Sequence, residues 1–282
     1  MLSINYNGKI IASGTPVIEA DNRGLRYGDG LFETMKFSNG RILRAEEHLS
    51  RLWDGLELLE FELPKLFTKD SLIQQIKALV EKNNHPFARV RLTIVRGNGG
   101  LYDAVNHYPN YIIQSWQLPE SNLLLNENGL QMIFYKDAVK SIDKFSNCKH
   151  NNYLPYLMGA IEAKKNKCND AILFNNKGSI CDSTIANIFL IKNNKIITPA
   201  LSEGCVAGIM RHTIIKSLDA LEMTVIEKEI TETELLEADE VFLSNSITPF
   251  KWVASIGNKN YRHTKINELF QKLYQTKRDL FC

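Results

Sequence analysis

Apolar residues recur at intervals of three and four along several stretches of this chain, which is the spacing that places them on one face of a helix. The helices predicted in this way cover 44–59, 70–83, 153–165, 208–221 and 264–277. In the first of them the predicted buried face consists of Leu49, Leu52, Trp53, Leu56 and Leu59.

Shorter apolar runs bounded by Gly, Asn, Ser or Pro predict strands. The first two runs flank Asn7-Gly8, a strong turn signal, and therefore predict a hairpin. The other predicted strands cover 30–37, 88–95, 111–116, 130–135, 171–174, 179–181, 187–191 and 241–245. Because strands and helices are mixed in both halves, the pattern predicts an α+β protein with two domains.

The apolar pattern lapses between 119 and 128, where Pro119 is followed by polar residues and an Asn-Glu-Asn run. Such a stretch is typical of a connection between domains. We therefore expect an N-terminal α+β domain over 1–118, a connection over 119–128 and a C-terminal α+β domain over 129–282. Each half of the 282 residues is long enough to bury a core of its own.

Composition narrows the class of partner. With 34 Lys+Arg against 32 Asp+Glu, the net charge of +2 predicts neither a nucleic-acid nor a membrane-surface partner. The five cysteines contain no Cys-x-x-Cys pair, which is typical of reduced thiols in the cytoplasm and indicates neither a disulfide framework nor a metal site. No run of eighteen apolar residues predicts a transmembrane helix.

Two polar segments carry candidate chemistry near the predicted helix 153–165 and strand 187–191. Lys149 directly precedes that helix. A lone lysine is usually solvated, and it becomes a nucleophile only where a pocket lowers its pKa or holds a carbonyl cofactor against it. Asp182 precedes the strand, where it either caps a turn or pairs with a protonated ring nitrogen, as in cofactors that act as electron sinks.

Two further segments are candidates for binding an anion. Gly208 opens a predicted helix, so the first amides of that helix face either an anion or only solvent. Arg51 shares a stripe of the helix 44–59 with His48 and Gly55, beside the apolar face. Both a phosphate clamp and a packed surface arginine fit this position.

Taken in order, these segments resemble the class IV aminotransferases. These are pyridoxal 5'-phosphate (PLP) enzymes of fold type IV, and they include branched-chain aminotransferases, D-amino-acid aminotransferases and 4-amino-4-deoxychorismate lyases. The matching motifs are His48-x-x-Arg51-Leu52, Lys149-x-x-x-Tyr153-Leu154, Asn187-Ile188-Phe189 and Gly208-Ile209-Met210-Arg211, framed by 26–34 and 243–250. The resemblance implies a two-domain α+β fold like that of the D-amino-acid aminotransferases, with PLP as the cofactor.

The resemblance also implies which residues hold the phosphate of that cofactor. Arg51 matches the family's phosphate arginine. The backbone amides of Ile209 and Met210 match the phosphate nest at a helix start. Ser246, or its neighbour Ile247, matches a further phosphate contact.

Around the cofactor ring, the resemblance implies three more roles. Lys149 matches the catalytic lysine that forms the Schiff base, and Tyr153 matches a residue near the ring hydroxyl. Asp182 occupies the position of the carboxylate that pairs with the ring nitrogen. The family usually has glutamate there, so the side chain of this protein is one methylene shorter.

Within the family, two features are similar to the lyases. Tyr153 lies four positions after Lys149, and the stretch 96–100 has the lyase-like pattern Arg-Gly-x-Gly-Gly. The Arg-x-His pair by which D-amino-acid enzymes bind the substrate carboxylate is missing. An amino-acid transaminase of branched-chain or D-amino-acid type stays open as the alternative.

The candidate substrate contacts are Arg91, Arg96 and Glu33. Strand alternation puts Arg89 and Arg91 on one face of the strand 88–95 and Arg96 on the other. Glu33 lies in a motif shared by several family members. As partners we expect a small-molecule substrate and, from the resemblance, a second copy of the chain in a homodimer.

Overall fold

The chain forms two compact units in a computed structural model, which describes residues 2–102, 106–119 and 124–276. One unit comprises Met1–Glu120 together with Cys148–Tyr153, and the other comprises Ser121–Asn147 together with Leu154–Cys282. The change of unit after Glu120 falls within the predicted connection 119–128, of which residues 120–123 lie outside the described residues.

The first unit contains one antiparallel sheet with the order β2-β1-β6-β5-β3-β4. Its strands are β1 (Ser3–Tyr6), β2 (Lys9–Ala12), β3 (Gly30–Ser38), β4 (Arg41–Ile42), β5 (Ala88–Val95) and β6 (Asn110–Gln117), and its helices are α1 (Arg23–Tyr27), α2 (Ala45–Leu58) and α3 (Lys69–Lys82). Successive residues of β3 point to opposite faces of the sheet. Leu31 and Met35 therefore join the core with α2 and α3, whereas Phe32 points to the opposite face.

The second unit contains a mixed sheet with the order β12-β11-β10-β13-β14-β7-β8-β9, and a short strand β15 pairs with β14. Its strands are β7 (Leu130–Lys140), β8 (Asp170–Asn175), β9 (Ile180–Ser183), β10 (Asn187–Lys192), β11 (Lys195–Pro199), β12 (Val225–Lys228), β13 (Glu240–Ser244), β14 (Lys251–Ile256) and β15 (Lys259–Asn260). Its helices are α4 (Leu154–Lys165), α5 (Ile209–Asp219), α6 (Glu232–Leu236) and α7 (Thr264–Thr276), with one 3-10 turn at Leu201–Glu203.

Alternation along β10 and β13 gives this second sheet a core on each face. Ile188 and Leu243 lie in one core, whereas Phe189 and Phe242 lie in the other, where their rings stack 4.7 Å apart. Helices α5 and α7 cover the second core. Among the described residues, no helix combines the length and the apolar character that crossing a membrane requires.

Most predicted elements are confirmed to within a few residues, including the hairpin at Asn7-Gly8, the helices α2 and α3 and the strand β5. The predicted helix 264–277 is confirmed as far as Thr276, and residue 277 lies outside the described residues. The sequence analysis missed α1, β4, β11, β12, β14 and β15.

One prediction of domain membership needs correction. We expected Lys149 in the C-terminal domain, but contacts group Cys148–Tyr153 with the first unit. The physical reason is hydrogen bonding, because this segment pairs with β3 through a bridge between Leu31 and His150.

Candidate active site

The backbone of Lys149 is held beside the start of β3. The amide of Phe32 donates to the Lys149 carbonyl at 3.0 Å, and the amide of Asn151 donates to the Gly30 carbonyl at 2.8 Å. The Asn151 side chain also donates to the Ile94 carbonyl at 3.1 Å. A Cβ on Gly30 would overlap that same carbonyl, so the close approach of the lysine segment depends on this glycine.

Three polar side chains surround the ring of Phe32, and one of them belongs to Lys149. The Lys149 Nζ lies 4.4 Å from the ring centroid, and the Arg91 guanidinium carbon lies 3.9 Å from it. The ring of Tyr153 meets the Phe32 ring edge-on at 5.5 Å. The structure thus brings together three residues that the sequence analysis selected, around an aromatic residue that it did not select.

Glu33 lies on the opposite face of β3, with no exposed surface, and binds two residues of α2. Its carboxylate accepts hydrogen bonds from Arg51 Nε at 2.8 Å and Arg51 Nη2 at 2.6 Å, and it lies 2.7 Å from His48 Nδ1. Burial alone raises the pKa of Glu33, but the charges and hydrogen bonds of Arg51 and His48 outweigh burial and lower the pKa to about 2. Burial also lowers the pKa of His48, against the opposing effect of Glu33.

This geometry corrects the prediction that Glu33 contacts the substrate. Both carboxylate oxygens are engaged inside the protein, and a buried charge without partners is costly. Glu33 instead fixes the guanidinium of Arg51, whose side chain keeps 14% of its surface exposed. A bidentate contact of this kind orients an arginine better than a single hydrogen bond does.

Arg96 likewise differs from its predicted role as a substrate contact. Its side chain is buried, and its Nε donates to both oxygens of Asp29 at 3.0 and 3.2 Å. The other nitrogens donate to the carbonyls of Leu59 and Glu60 after α2. These contacts make Arg96 a structural residue that joins the end of α2 to the sheet, which leaves Arg91 as the arginine beside Lys149.

In the second unit, Asp182 lies on β9 with 2% of its surface exposed and accepts four hydrogen bonds. Its Oδ2 accepts from Lys140 Nζ at 3.3 Å, from the Tyr156 hydroxyl at 2.9 Å and from the Val206 amide at 3.0 Å. Its Oδ1 accepts from the Asn187 side chain at 2.9 Å. Burial raises the pKa of Asp182, and the positive charge of Lys140 and the hydrogen bonds partly offset that rise.

The sequence analysis missed Lys140, Tyr156 and Asn187 as partners of Asp182. Asn187 was visible as part of a family motif, but nothing in the sequence connects Lys140 to a residue 42 positions away. Only the pairing of β7 with β8, and of β8 with β9, brings the two charges together.

The first turn of α5 lies where the sequence left two alternatives open, an anion site and an ordinary helix start. Its N-cap is Gly208, and no side chain of the described residues caps the helix there. A Cβ on Gly208 would overlap the side-chain oxygen of Asn187, and the side-chain nitrogen of Asn187 donates to Asp182. The helix start and the buried carboxylate are therefore joined by Asn187, and uncapped amides at a helix start favour an anion.

The predicted phosphate contact at Ser246 or Ile247 lies in a tight turn after β13. The side-chain oxygen of Asn245 accepts from the amides of Ile247 and Thr248 at 2.9 and 2.8 Å. Because the Ile247 amide is engaged in this turn, Ser246 remains the better candidate of the two. Ser246 is itself half-buried.

Parts found separately in the two units point to one class of protein. A lysine held beside an aromatic ring, an uncapped helix start and a buried carboxylate are the parts by which an enzyme uses a phosphorylated pyridine aldehyde. The model of the amino-transferase class IV family matches residues 30–256, and the chain belongs to this family. Its fold is fold type IV, and it is an enzyme of the PLP-dependent aminotransferase and lyase group.

Relatives within the family differ in the reaction that their names state. A Methanocaldococcus jannaschii protein, provisionally named a branched-chain-amino-acid aminotransferase, is 28% identical and covers 99% of this chain and 96% of its own length. The aminodeoxychorismate lyase of Vibrio harveyi is also 28% identical, over 84% of this chain and 88% of its own. The branched-chain aminotransferase structure from Escherichia coli superimposes with a TM-score of 0.86 at 22% identity, covering 98% of this chain and 93% of its own.

Proposed function

We propose that the chain is a 4-amino-4-deoxychorismate lyase, which releases p-aminobenzoate, a building block of folate, and pyruvate. The observation that carries the proposal is the cluster around Phe32. Arg91 offers a permanent cation for a carboxylate, and it lies on the same aromatic ring as the Nζ of Lys149. The substrate of this lyase carries its amine and a carboxylate on one ring, so it needs a cation near the catalytic lysine.

The cofactor is PLP, and the residues present fit it. We assign the phosphate to Arg51, to the amides of Ile209 and Met210 in the uncapped first turn of α5, and to Ser246. We assign the pyridine nitrogen to Asp182, whose Oδ1 accepts a single hydrogen bond from the described residues and so keeps acceptor capacity. Bound PLP withdraws electrons from the substrate carbon that carries the amine.

The protein's own groups would then move the proton. Lys149 takes the proton from the ring carbon that bears the amine, acting as general base. The carbon–oxygen bond to the enolpyruvyl group breaks, the ring becomes aromatic, and the leaving group gains a proton to become pyruvate. Arg91 holds the ring carboxylate throughout. The ring of Tyr153 contacts the same Phe32 ring as Arg91 does.

An amino-acid transaminase is the second candidate. One observation favours it, namely the near full-length match to the Methanocaldococcus jannaschii protein. A transaminase must accept a keto acid in a second half-reaction, whereas a lyase returns to its starting form in one pass.

A product assay decides between the two reactions. The purified protein with PLP is incubated with aminodeoxychorismate and, separately, with L-leucine, L-glutamate or D-alanine and a keto acid. We expect p-aminobenzoate and pyruvate without any added keto acid, and borohydride should fix the cofactor to the peptide that contains Lys149. Keto-acid-dependent turnover of an amino acid with no p-aminobenzoate would replace the lyase by the transaminase.

We further propose that the chain forms a homodimer through α4. Four apolar side chains, three and four positions apart on this helix, are exposed: Leu154 at 62%, Leu157 at 54%, Met158 at 37% and Ile161 at 40%. The opposite side of α4 is the buried side. An uncharged apolar stripe is complementary to itself, which suits the two-fold contact between identical chains.

A further inference from the structure

Lys140 is a buried lysine at the end of β7, with 6% of its surface exposed. The register of β7 against β8 shifts between Tyr135 and Lys140, and the strand resumes its pairing where Lys140 meets Asn175. The amide of Asn176, directly after β8, donates to the Lys140 carbonyl at 3.1 Å. This hydrogen bond fixes the backbone of Lys140 beside the end of β8. An irregularity of this kind re-aims a side chain, and here the ammonium points at Asp182.

We propose that Lys140 is a positioning residue, whose ammonium holds the carboxylate of Asp182 in place and in its charged form. This inference rests on the proposed function, in which Asp182 serves the ring nitrogen of the cofactor. Lys140 itself is not assigned to the cofactor or the substrate.

The energetic argument concerns a negative charge inside a core. Asp182 is nearly inaccessible to water, and burial penalises the charged form of a carboxylate unless a cation and hydrogen bonds compensate it. The Tyr156 hydroxyl, the Val206 amide and the Asn187 amide supply hydrogen bonds, but Lys140 alone among these partners supplies a full positive charge. Its Nζ also lies 5.4 Å from the Tyr156 ring centroid, which favours the cation.

Other titratable groups near Asp182 do not take over this role. Tyr156 approaches from α4, Cys181 precedes Asp182 on β9, and Cys205 lies before α5. Burial and the charge of Asp182 both raise the pKa of the two thiols, so they stay neutral at neutral pH. Removing the ammonium of Lys140 therefore leaves Asp182 with hydrogen-bond donors that carry no charge.

The first test measures kcat and KM against pH for Lys140→Met and Lys140→Arg. Loss of the ammonium raises the pKa of Asp182, so the acidic limb of the kcat profile should move to higher pH in Lys140→Met. Each pKa unit gained costs about tenfold in kcat on that limb, with KM little changed. Lys140→Arg should return the limb towards its original position, and Lys136→Met, an exposed lysine on the same strand, should leave the profile unchanged.

The second test uses the stability of the full chain, with and without saturating PLP, and needs no turnover. In Lys140→Met the folded pKa of Asp182 lies further above its unfolded value, so stability is lost as pH rises through the folded pKa and regained on acidification. Lys140→Met/Asp182→Asn should be more stable at pH 7 than Lys140→Met alone and should lack this pH dependence. The double variant also covers the case in which Lys140→Met fails to fold.

The outcomes separate this inference from the proposed function. If Asp182→Asn does not restore stability, or if the kcat limb of Lys140→Met stays in place, Lys140 is a packing residue and the inference is overturned. If the wild type forms no p-aminobenzoate, the lyase assignment fails, while the stability test still decides whether Lys140 keeps Asp182 charged.

Discussion

Single charged residues organise the first unit, and Glu33 is a fully buried example. Its folded pKa of about 2 lies below the ordinary value of 4.5, so its charge stabilises the fold above pH 4.5 and this stabilisation is lost as pH falls towards 2. Glu33→Gln should cost about 3–5 kcal/mol of unfolding free energy at neutral pH, because it leaves Arg51 without its buried partner. It should also flatten the loss of stability between pH 4.5 and 2.

Urea unfolding at several pH values measures this effect. Glu46→Gln is the matched control, since Glu46 lies on α2 with its side chain 75% exposed and pairs with Lys69. Its unfolding free energy should stay close to that of the wild type. Identical curves for Glu33→Gln and Glu46→Gln would show that the buried pair does not stabilise the fold.

Three arginines that are near one another in the sequence should respond differently to substitution by methionine. Arg91→Met should raise KM for the carboxylate substrate by roughly 10- to 100-fold, the equivalent of one charged hydrogen bond of about 1.5–3 kcal/mol. Arg96→Met should lower the unfolding free energy by about 1.5–3 kcal/mol, because the half-buried Asp29 loses a charged hydrogen bond but keeps Arg23. Arg89→Met should do neither, since Arg89 is exposed over the ring of Trp116.

Steady-state kinetics and urea unfolding on the three variants check these outcomes together. A raised KM in folded Arg96→Met with unchanged stability would restore the role in substrate binding that the structure takes away from Arg96. The sequence correctly separated the faces of Arg91 and Arg96, because alternation follows from strand geometry. It did not reveal that Asp29, 67 positions away, binds Arg96.

At the scale of elements, periodicity predicted where the helices lie better than it predicted which of their sides is buried. The apolar series in α2 and α4 look alike in the sequence, yet α2 buries Leu49, Leu52 and Leu56, whereas α4 exposes its stripe. Helix α4 buries Tyr156, Gly159 and Ala163 instead, and Tyr156 does so by donating to Asp182. The inward side of α4 therefore combines small residues with a hydrogen-bonded tyrosine, a combination that hydrophobic periodicity does not reveal.

The start of α5 gives a prediction at the same scale. Gly208→Ala would place a Cβ onto the side-chain oxygen of Asn187, so the helix start or the asparagine has to move. Overpacking of this kind costs about 1–3 kcal/mol of stability. We also expect weaker PLP binding, because the amides of Ile209 and Met210 move with the helix start.

A PLP titration and urea unfolding test this prediction. Gly14→Ala is the control, because a Cβ at Gly14 meets no atom within 4 Å. If Gly208→Ala and Gly14→Ala have the same PLP affinity and the same unfolding free energy, the turn before α5 accommodates the extra Cβ without loss of stability.

At the scale of the whole molecule, the order of segments along the chain did not predict which unit holds which residue. The candidate lysine follows β7 of the second unit in sequence but pairs with β3 of the first unit. Contiguous boundaries such as 1–118 and 129–282 cannot represent a chain that returns to its first unit for six residues. Family motifs singled out Lys149, whose role stays a prediction, whereas local patterns gave no information about a pairing across more than a hundred residues.

The proposed homodimer gives the last prediction. If α4 forms the contact, the mass of the wild type in sedimentation velocity should be about twice its chain mass of 32.2 kDa. The mass of Leu157→Lys should be that of a single chain. A buried lysine without a partner cannot replace an apolar side chain in a two-fold contact, where the substitution occurs on both sides. Leu66→Lys is the control, since Leu66 is 88% exposed, belongs to the first unit and is not part of the α4 stripe. Sedimentation velocity over a range of concentrations distinguishes the cases. A monomeric wild type would contradict the proposed homodimer. A dimeric Leu157→Lys would show that the dimer contact lies on a surface other than α4.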